Sequence, residues 1–231
     1  MIGTERGYGW KVVGYLGMLL AIALIGLPLV WIVLTSFKQH SDIYSIPVDW
    51  WPGEWQPENY RDATERVPFA DYVRNSVLIT LILCTIKISL GVISAYALSI
   101  LRFPGRNLVF ILVISALMVP SEITVISNYA LASQLGWRDT YTGIIVPLAG
   151  IAFGTFLMRN HFMSIPHEII EAARMDGAGP FRLLFQVLLP ISLPTLAAFS
   201  MITVVNEWNQ YLWPFLMAET SASGTLPVGL T

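Results

Sequence analysis

Reactive side chains are scarce in this chain: one cysteine, Cys84, and three scattered histidines stand among 231 residues. A single thiol excludes a disulfide framework and a cysteine-based zinc site, and there is no H-x-x-x-H pair to hold a metal. No G-x-x-x-x-G-K-[ST] loop occurs, so if ATP drives this protein it is hydrolysed on another polypeptide. Charge is equally sparse, at 12% of side chains against 55% hydrophobic, with a mean hydropathy of +0.64. That balance lies outside soluble composition and marks a multispanning membrane protein. The net charge of −2 is uninformative as a sum, whereas its distribution along the chain is not.

Long apolar runs are abundant. Residues 12–34, 75–101, 108–126, 142–158 and 193–217 each approach the length that crosses about 30 Å of hydrocarbon as helix, which predicts an all-α bundle, a single transmembrane domain over 1–231. The first run is roughly twice the core of a secretory signal and lacks a small-x-small cleavage site, so it reads as a span. Between 37 and 73 the chain is rich in Asp, Glu, Pro and Trp, and is placed outside as an irregular loop hugging the interface. Residues 102–107 and the arginines 159, 174 and 182 are placed with Arg6 and Lys11 on the inner side, giving a cytoplasmic N-terminus. Pro120 predicts a break in the third span, and 127–141 reads as a polar outer connection.

Three stretches carry polar chemistry within or between these runs. Lys87 lies near the middle of the second span, where insertion costs about 2.5–3.5 kcal/mol or more. Cys84, Gly91 and Ser94 share its helical face, turning it toward a bundle interior or cavity. It serves there either as the structural partner of a buried carboxylate or as a group facing solute. Asn206, Glu207, Trp208, Asn209, Gln210 and Tyr211 form a polar and aromatic cluster in the fifth span. Such a run suits a wet pathway for a polar solute; the alternative is an aromatic belt at the outer interface, which accounts for Tyr211 and Trp213 better than for Asn206 and Glu207.

The third stretch, 164–190, separates apolar runs. Ser164 is positioned to cap a short helix, Pro166 fits its first turn, Glu168 complements its positive end and Gly177 ends it. Ile165, Ile169, Ile170, Ala172 and Ala173 fall on one stripe, with His167, Glu168, Glu171 and Arg174 on the other. Spacing alone leaves open a plain interfacial hairpin or a docking surface. Glu171-Ala172-Ala173, three residues, Gly177, nine residues and Val187-Leu188-Leu189-Pro190 together resemble the E-A-A signature of permease subunits in bacterial ABC importers, with Val in place of Ile at 187. Further matches, Lys87-Ile88, Ser94-Ala95-Tyr96-Ala97, Arg102-Phe103-Pro104-x-Arg106-Asn107-Leu108 and Trp208-Asn209-Gln210-Tyr211-Leu212-Trp213-Pro214, are similar to the small permease subunit of glycerol-3-phosphate importers.

The resemblance implies a type I importer permease in the bacterial inner membrane, non-catalytic and without a cofactor of its own. Five spans are visible of an expected six, the chain ending at Thr231 before a last apolar run. It implies a second homologous permease, an ATPase dimer that binds ATP and Mg, and an external solute-binding protein. Glu168, Glu171, Ala172, Ala173, Arg174, Asp176 and Gly177 would then form the coupling helix seated on the ATPase. The implied cargo is glycerol-3-phosphate or a glycerophosphodiester such as glycerophosphocholine, moved by alternating access, with Lys87 neutralising phosphate and the 206–211 cluster holding the remainder. A permease for a neutral sugar or disaccharide is the nearer alternative. An ion-coupled carrier using Lys87 and Glu207 is the alternative of a different class, and it has no need of the E-A-A segment.

Overall fold

The computed structural model describes residues 8–230, in two compact units that divide between Val67 and Pro68. Among the described residues every regular element is helical. Arg6, one of the charges assigned to the inner side, lies outside them.

The first unit is built on α1 (Tyr8–Ser36). Its apolar side chains, Leu20, Leu24 and Ile32 among them, stay exposed along its length, as in a helix whose solvent is hydrocarbon. Beyond Ser36 the polar stretch folds around Lys38, which is buried, donates to the Asp49 carbonyl and sits 4.4 Å from the Trp31 ring centroid. The ring face and the carbonyl together offset the desolvation of the ammonium. Asn59 Nδ2 donates to the Ser36 and Lys38 carbonyls at 3.0 and 2.9 Å, and Trp50 meets Trp31 edge to face at 5.1 Å. These rings thus hold the segment together, although Trp50, like Trp51 and Trp55, keeps an exposed face.

The second unit is organised around α2 (Phe69–Ser99). It begins ahead of the apolar run because Pro68 occupies its N-cap position and Asp71 lies in its first turn. α3 (Arg106–Ser115) follows the basic turn and continues through a 3₁₀ turn to Met118. The chain then bends by 98° at the predicted Pro120 break and enters α4 (Ser121–Gln134). Residues 127–134, expected in an outer loop, are therefore helical. Pro120 starts a new helix instead of ending the element, and Gly136, at φ +70°, supplies the stop. There the amides of Gly136 and Trp137 reach back to the Ser133 and Ala132 carbonyls, a Schellman end.

α5 (Tyr141–Leu148) and α6 (Ala152–Ser164) meet at 41°, and α7 (His167–Met175) is the short amphipathic helix. The 180–191 segment carries a π-helical stretch, Leu183–Leu188, before turning by 81° into α8 (Leu193–Trp208) and α9 (Leu212–Met217). By length and composition two helices are able to cross a membrane, and up to five crossings result if each bent pair is one span.

α2 packs on α6 through small residues. A Cβ on Gly91 would lie 3.3 Å from the Gly154 backbone, a Cβ on Gly154 would strike the Phe199 ring, and Ser94 Oγ meets Thr155 Oγ1 at 2.6 Å. Gly154→Ala is accordingly expected to cost about 1–3 kcal/mol by overpacking, read as a lowered Tm in detergent. Gly150→Ala, where a Cβ meets nothing within 4 Å, serves as the control. Equal Tm values for the two variants would contradict this packing.

At the other end of α2, Asn75 is fully buried. Its Nδ2 donates to the Ser221, Ala222 and Gly224 carbonyls at 2.9–3.1 Å, while Oδ1 accepts from the Tyr141 hydroxyl at 2.7 Å. Asp139 ties the same segment from the α4–α5 turn, accepting from Ser223 Oγ at 2.5 Å, from Thr220 Oγ1 at 2.7 Å and from the Glu219 and Thr220 amides. Hydrogen bonds from Ser223 and then Thr220 lower its carboxyl pKa to about 2. A depressed carboxylate contributes stability that is present above the unfolded pKa of about 3.9 and is lost as pH falls through about 2. Asp139→Asn, which tolerates the positive φ at this position, should speed amide exchange in 218–225 at pH 7. The difference from wild type should shrink as pH falls through about 2, and an equal difference at both values would contradict the assignment.

Candidate functional site

Helix breaks inside a bilayer leave backbone groups that must be buried in protein or line a cavity. Two helix joints, α5–α6 and α8–α9, border two cavities in the second unit. The first, of about 120 Å³, lies where the α5–α6 joint at Gly150 and Ile151 faces the last turns of α8. The second, of about 240 Å³, is lined by Glu122 and Asn128 of α4, Pro147 of α5, and Gln210 and Trp213 around the α8–α9 joint.

Lys87 and Glu207, 120 positions apart in sequence, face each other at the first cavity. Lys87 Nζ lies 2.5 Å from Glu207 Oε1, with side-chain exposures of 17% and 4%. So little exposure removes most solvent from both charges, and each makes the burial of the other tolerable. Glu207 also stands in the last turn of α8, the negative end of its dipole, so Lys87 offsets an unfavourable placement of the carboxylate. The second carboxylate oxygen, Oε2, is buried with no hydrogen-bond partner. Thr203 and Asn206 border the same space, while the Thr203 hydroxyl is occupied by the Phe199 carbonyl at 2.8 Å.

The six-residue cluster of α8 and its exit is thus divided. Asn206 and Glu207 reach the first cavity and Gln210 the second. Trp208 is half-buried, Asn209 turns back to donate to the Val205 carbonyl at 2.7 Å, and Tyr211 stacks on Phe215 at 5.3 Å on an exposed face. Trp213 is no interfacial ring, for it is buried and its indole N–H donates to the Gly143 carbonyl at 3.1 Å. Glu122, Asn128 and Thr203 were not singled out as site residues from sequence. The available signal was Pro120 followed at once by Ser121-Glu122, a helix start within an apolar stretch.

α7 and its flanks form a second feature of the unit. Pro166, and not Ser164, stands at the N-cap; the Ser164 hydroxyl is spent on the His161 carbonyl at 2.7 Å. Ile165 and Ile170 are buried and Ala173 half-buried, whereas Ile169 and Ala172 are exposed with Glu168, Glu171, Arg174, Asp176 and Gly177. The expected apolar stripe is therefore split. One edge packs inward on a core that includes Leu183, Leu184 and Leu188, and the other is open. Met175 and Phe181 extend the open apolar surface at 87% and 79% exposure. The far end is a complete Schellman motif, with Gly177 at φ +76°, its amide on the Arg174 carbonyl at 3.0 Å and the Ala178 amide on the Ala173 carbonyl at 2.9 Å. Tyr96 of α2 holds the following turn through the Pro180 carbonyl at 2.9 Å.

Broken apolar helices around buried polar cavities, with a short amphipathic helix carrying Glu-Ala-Ala-x-x-x-Gly, define an inner-membrane solute permease subunit, and the chain belongs to the family described as binding-protein-dependent transport system inner membrane component, which matches residues 87–229. This membership places it in a multi-pass inner-membrane assembly of the ABC importer kind, where a permease works with a second permease, an ATPase and a binding protein. It does not favour an ion-coupled carrier.

Among individual relatives, the sn-glycerol-3-phosphate transport system permease protein UgpE of Brucella suis is 35% identical over 227 residues, covering 95% of this chain and 80% of that protein. UgpE of Pectobacterium atrosepticum is 34% identical over 236 aligned positions, covering 100% of this chain and 83% of the relative. The fold matches a chain in the crystal structure of a bacterial ABC transporter involved in the import of the acidic polysaccharide alginate. That match has a TM-score of 0.81 and 24% identity, and covers 99% of this chain and 80% of the other.

Proposed function

We propose that this subunit carries sn-glycerol 3-phosphate, or a glycerophosphodiester such as glycerophosphocholine, across the inner membrane by alternating access. The observation that carries the solute assignment is identity of 34–35% with glycerol-3-phosphate permeases over 95–100% of the chain. The polar lining of the two cavities supports it, since Asn206 and Gln210 supply hydrogen-bonding groups for a polyol; the Trp208 and Tyr211 rings, outside both linings, are the faces offered to a choline-like cation. A neutral sugar or disaccharide is not favoured by these relatives.

The N-terminus and α7 lie on the cytoplasmic side in this reading, and the exposed edge of α7 seats on the ATPase. Its open surface is mixed, with Glu171 and Arg174 for charged partners and Ala172 for close approach. ATP-driven closure of the ATPase dimer displaces α7, tilts the spans and opens the cavities outward; hydrolysis and reset release solute inward. ATP is hydrolysed on the partner, and this chain relays the motion.

The test is an uptake screen in vesicles holding the assembled transporter, its binding protein and ATP. Uptake of sn-glycerol 3-phosphate or glycerophosphocholine, and none of maltose, is expected. Uptake of maltose without either glycerol ester would overturn the assignment.

A further inference from the structure

The first cavity presents an unusual balance of charge. Its walls include one cation, Lys87, and that ammonium is engaged with Glu207. No Lys or Arg lines the second cavity. A phosphate entering the first space would have to draw Lys87 away from Glu207, leaving a bare buried carboxylate beside another anion, which is doubly unfavourable, and the second space offers a phosphate no cation at all. What the first cavity lacks is a donor engaged with the second oxygen of Glu207. Glu207 Oε2 is buried and accepts no hydrogen bond, and a charged acceptor in that condition is costly. Thr203 commits its hydroxyl elsewhere and Asn206 lies on the rim as an exposed side chain. The volume, about 120 Å³, suits the end of a three-carbon polyol.

We propose that Glu207 is the hydroxyl-reading group of this permease. Lys87 holds one carboxylate oxygen and balances its charge, and the other oxygen accepts a hydrogen bond from an alcohol of the solute. Lys87 is on this account a positioning residue, and the solute's polyol end, not its phosphate, faces α2 and α8. The phosphate is neutralised by groups outside the two cavities. The inference rests on the glycerol-ester reading above and specifies which part of that solute this chain recognises.

The test uses the assembled transporter in vesicles with one binding protein throughout, so that the binding protein's own preference cancels. KM for uptake is compared between wild type and Glu207→Gln for sn-glycerol 3-phosphate, 3-hydroxypropyl phosphate and 2-hydroxypropyl phosphate, the last two each lacking one hydroxyl. Loss of a hydrogen bond to a charged acceptor should raise KM for the parent solute by roughly tenfold to a hundredfold. KM for one of the deoxy analogues should stay nearly constant, so that the wild-type preference collapses. Should Glu207→Gln not assemble, Lys87→Gln/Glu207→Gln, which balances the charge, gives the same readout. An equal change for all three solutes, no change for any, or failure of both variants to assemble makes the pair structural and overturns the assignment. Wild-type uptake of none of the three overturns the solute reading itself, and the hydroxyl assignment with it.

Discussion

Lys87→Ala is expected to destabilise the folded permease by about 3–5 kcal/mol, the cost of stranding one member of a buried ion pair. The size follows from burial: the Glu207 side chain is 4% exposed and its ammonium partner is 2.5 Å away. Removing the cation leaves the carboxylate in the last turn of α8, against the negative end of that helix. Glu207→Ala should cost a similar amount by stranding Lys87. Lys87→Met/Glu207→Leu, which removes both charges while keeping apolar volume, should cost much less than the sum of the two single changes. Unfolding in mixed micelles, run as a double-mutant cycle, reads the coupling directly. Additive single effects would show that the two charges do not depend on each other.

Gly177→Val is expected to lower solute-stimulated ATP turnover by about tenfold, toward the unstimulated rate. Gly177 adopts φ +76°, and a side chain in the left-handed region costs roughly 1–2 kcal/mol, more for a β-branched one. That strain is relieved by undoing the Schellman bonds to Arg174 and Ala173, which releases the end of α7. A lever with a loose end transmits less motion, and 1.4 kcal/mol of lost coupling corresponds to about tenfold. The measurement is ATP turnover by the reconstituted transporter with and without loaded binding protein. Undiminished stimulation would mean that the α7 end takes no part in coupling.

Much of the site was legible in local pattern. Lys87 and Glu207 stood out because a charge in an apolar run is costly wherever it points, and Gly177 because a helix of this kind needs a left-handed residue to end it. The spacing of Gly91 and Ser94 from Lys87 correctly named the inward face of α2. What local pattern does not carry is distance across the fold. The two could be named together from sequence only as the pair an ion-coupled carrier would use; their meeting, 120 positions apart, is made by α2 lying against α8.

The helical state of 127–134 was hidden for a different reason. Ser127, Asn128 and Gln134 read as loop by polarity, yet they belong to a helix that Pro120 starts, and Asn128 lines a cavity. Trp213 shows the same limit: by composition it fits an interfacial belt, whereas its buried N–H is satisfied by a carbonyl 70 positions away. The compact fold around Lys38 was likewise invisible, since cation–ring and side chain–carbonyl contacts leave no periodic trace.

The dependence of transport on a separate ATPase is tested most directly by vesicles that contain both permeases and binding protein, with or without the ATPase, ATP being supplied on the α7 side. Accumulation of sn-glycerol 3-phosphate against its gradient with the ATPase present, and none without it, is the predicted result. Accumulation in the ATPase-free vesicles would contradict the account.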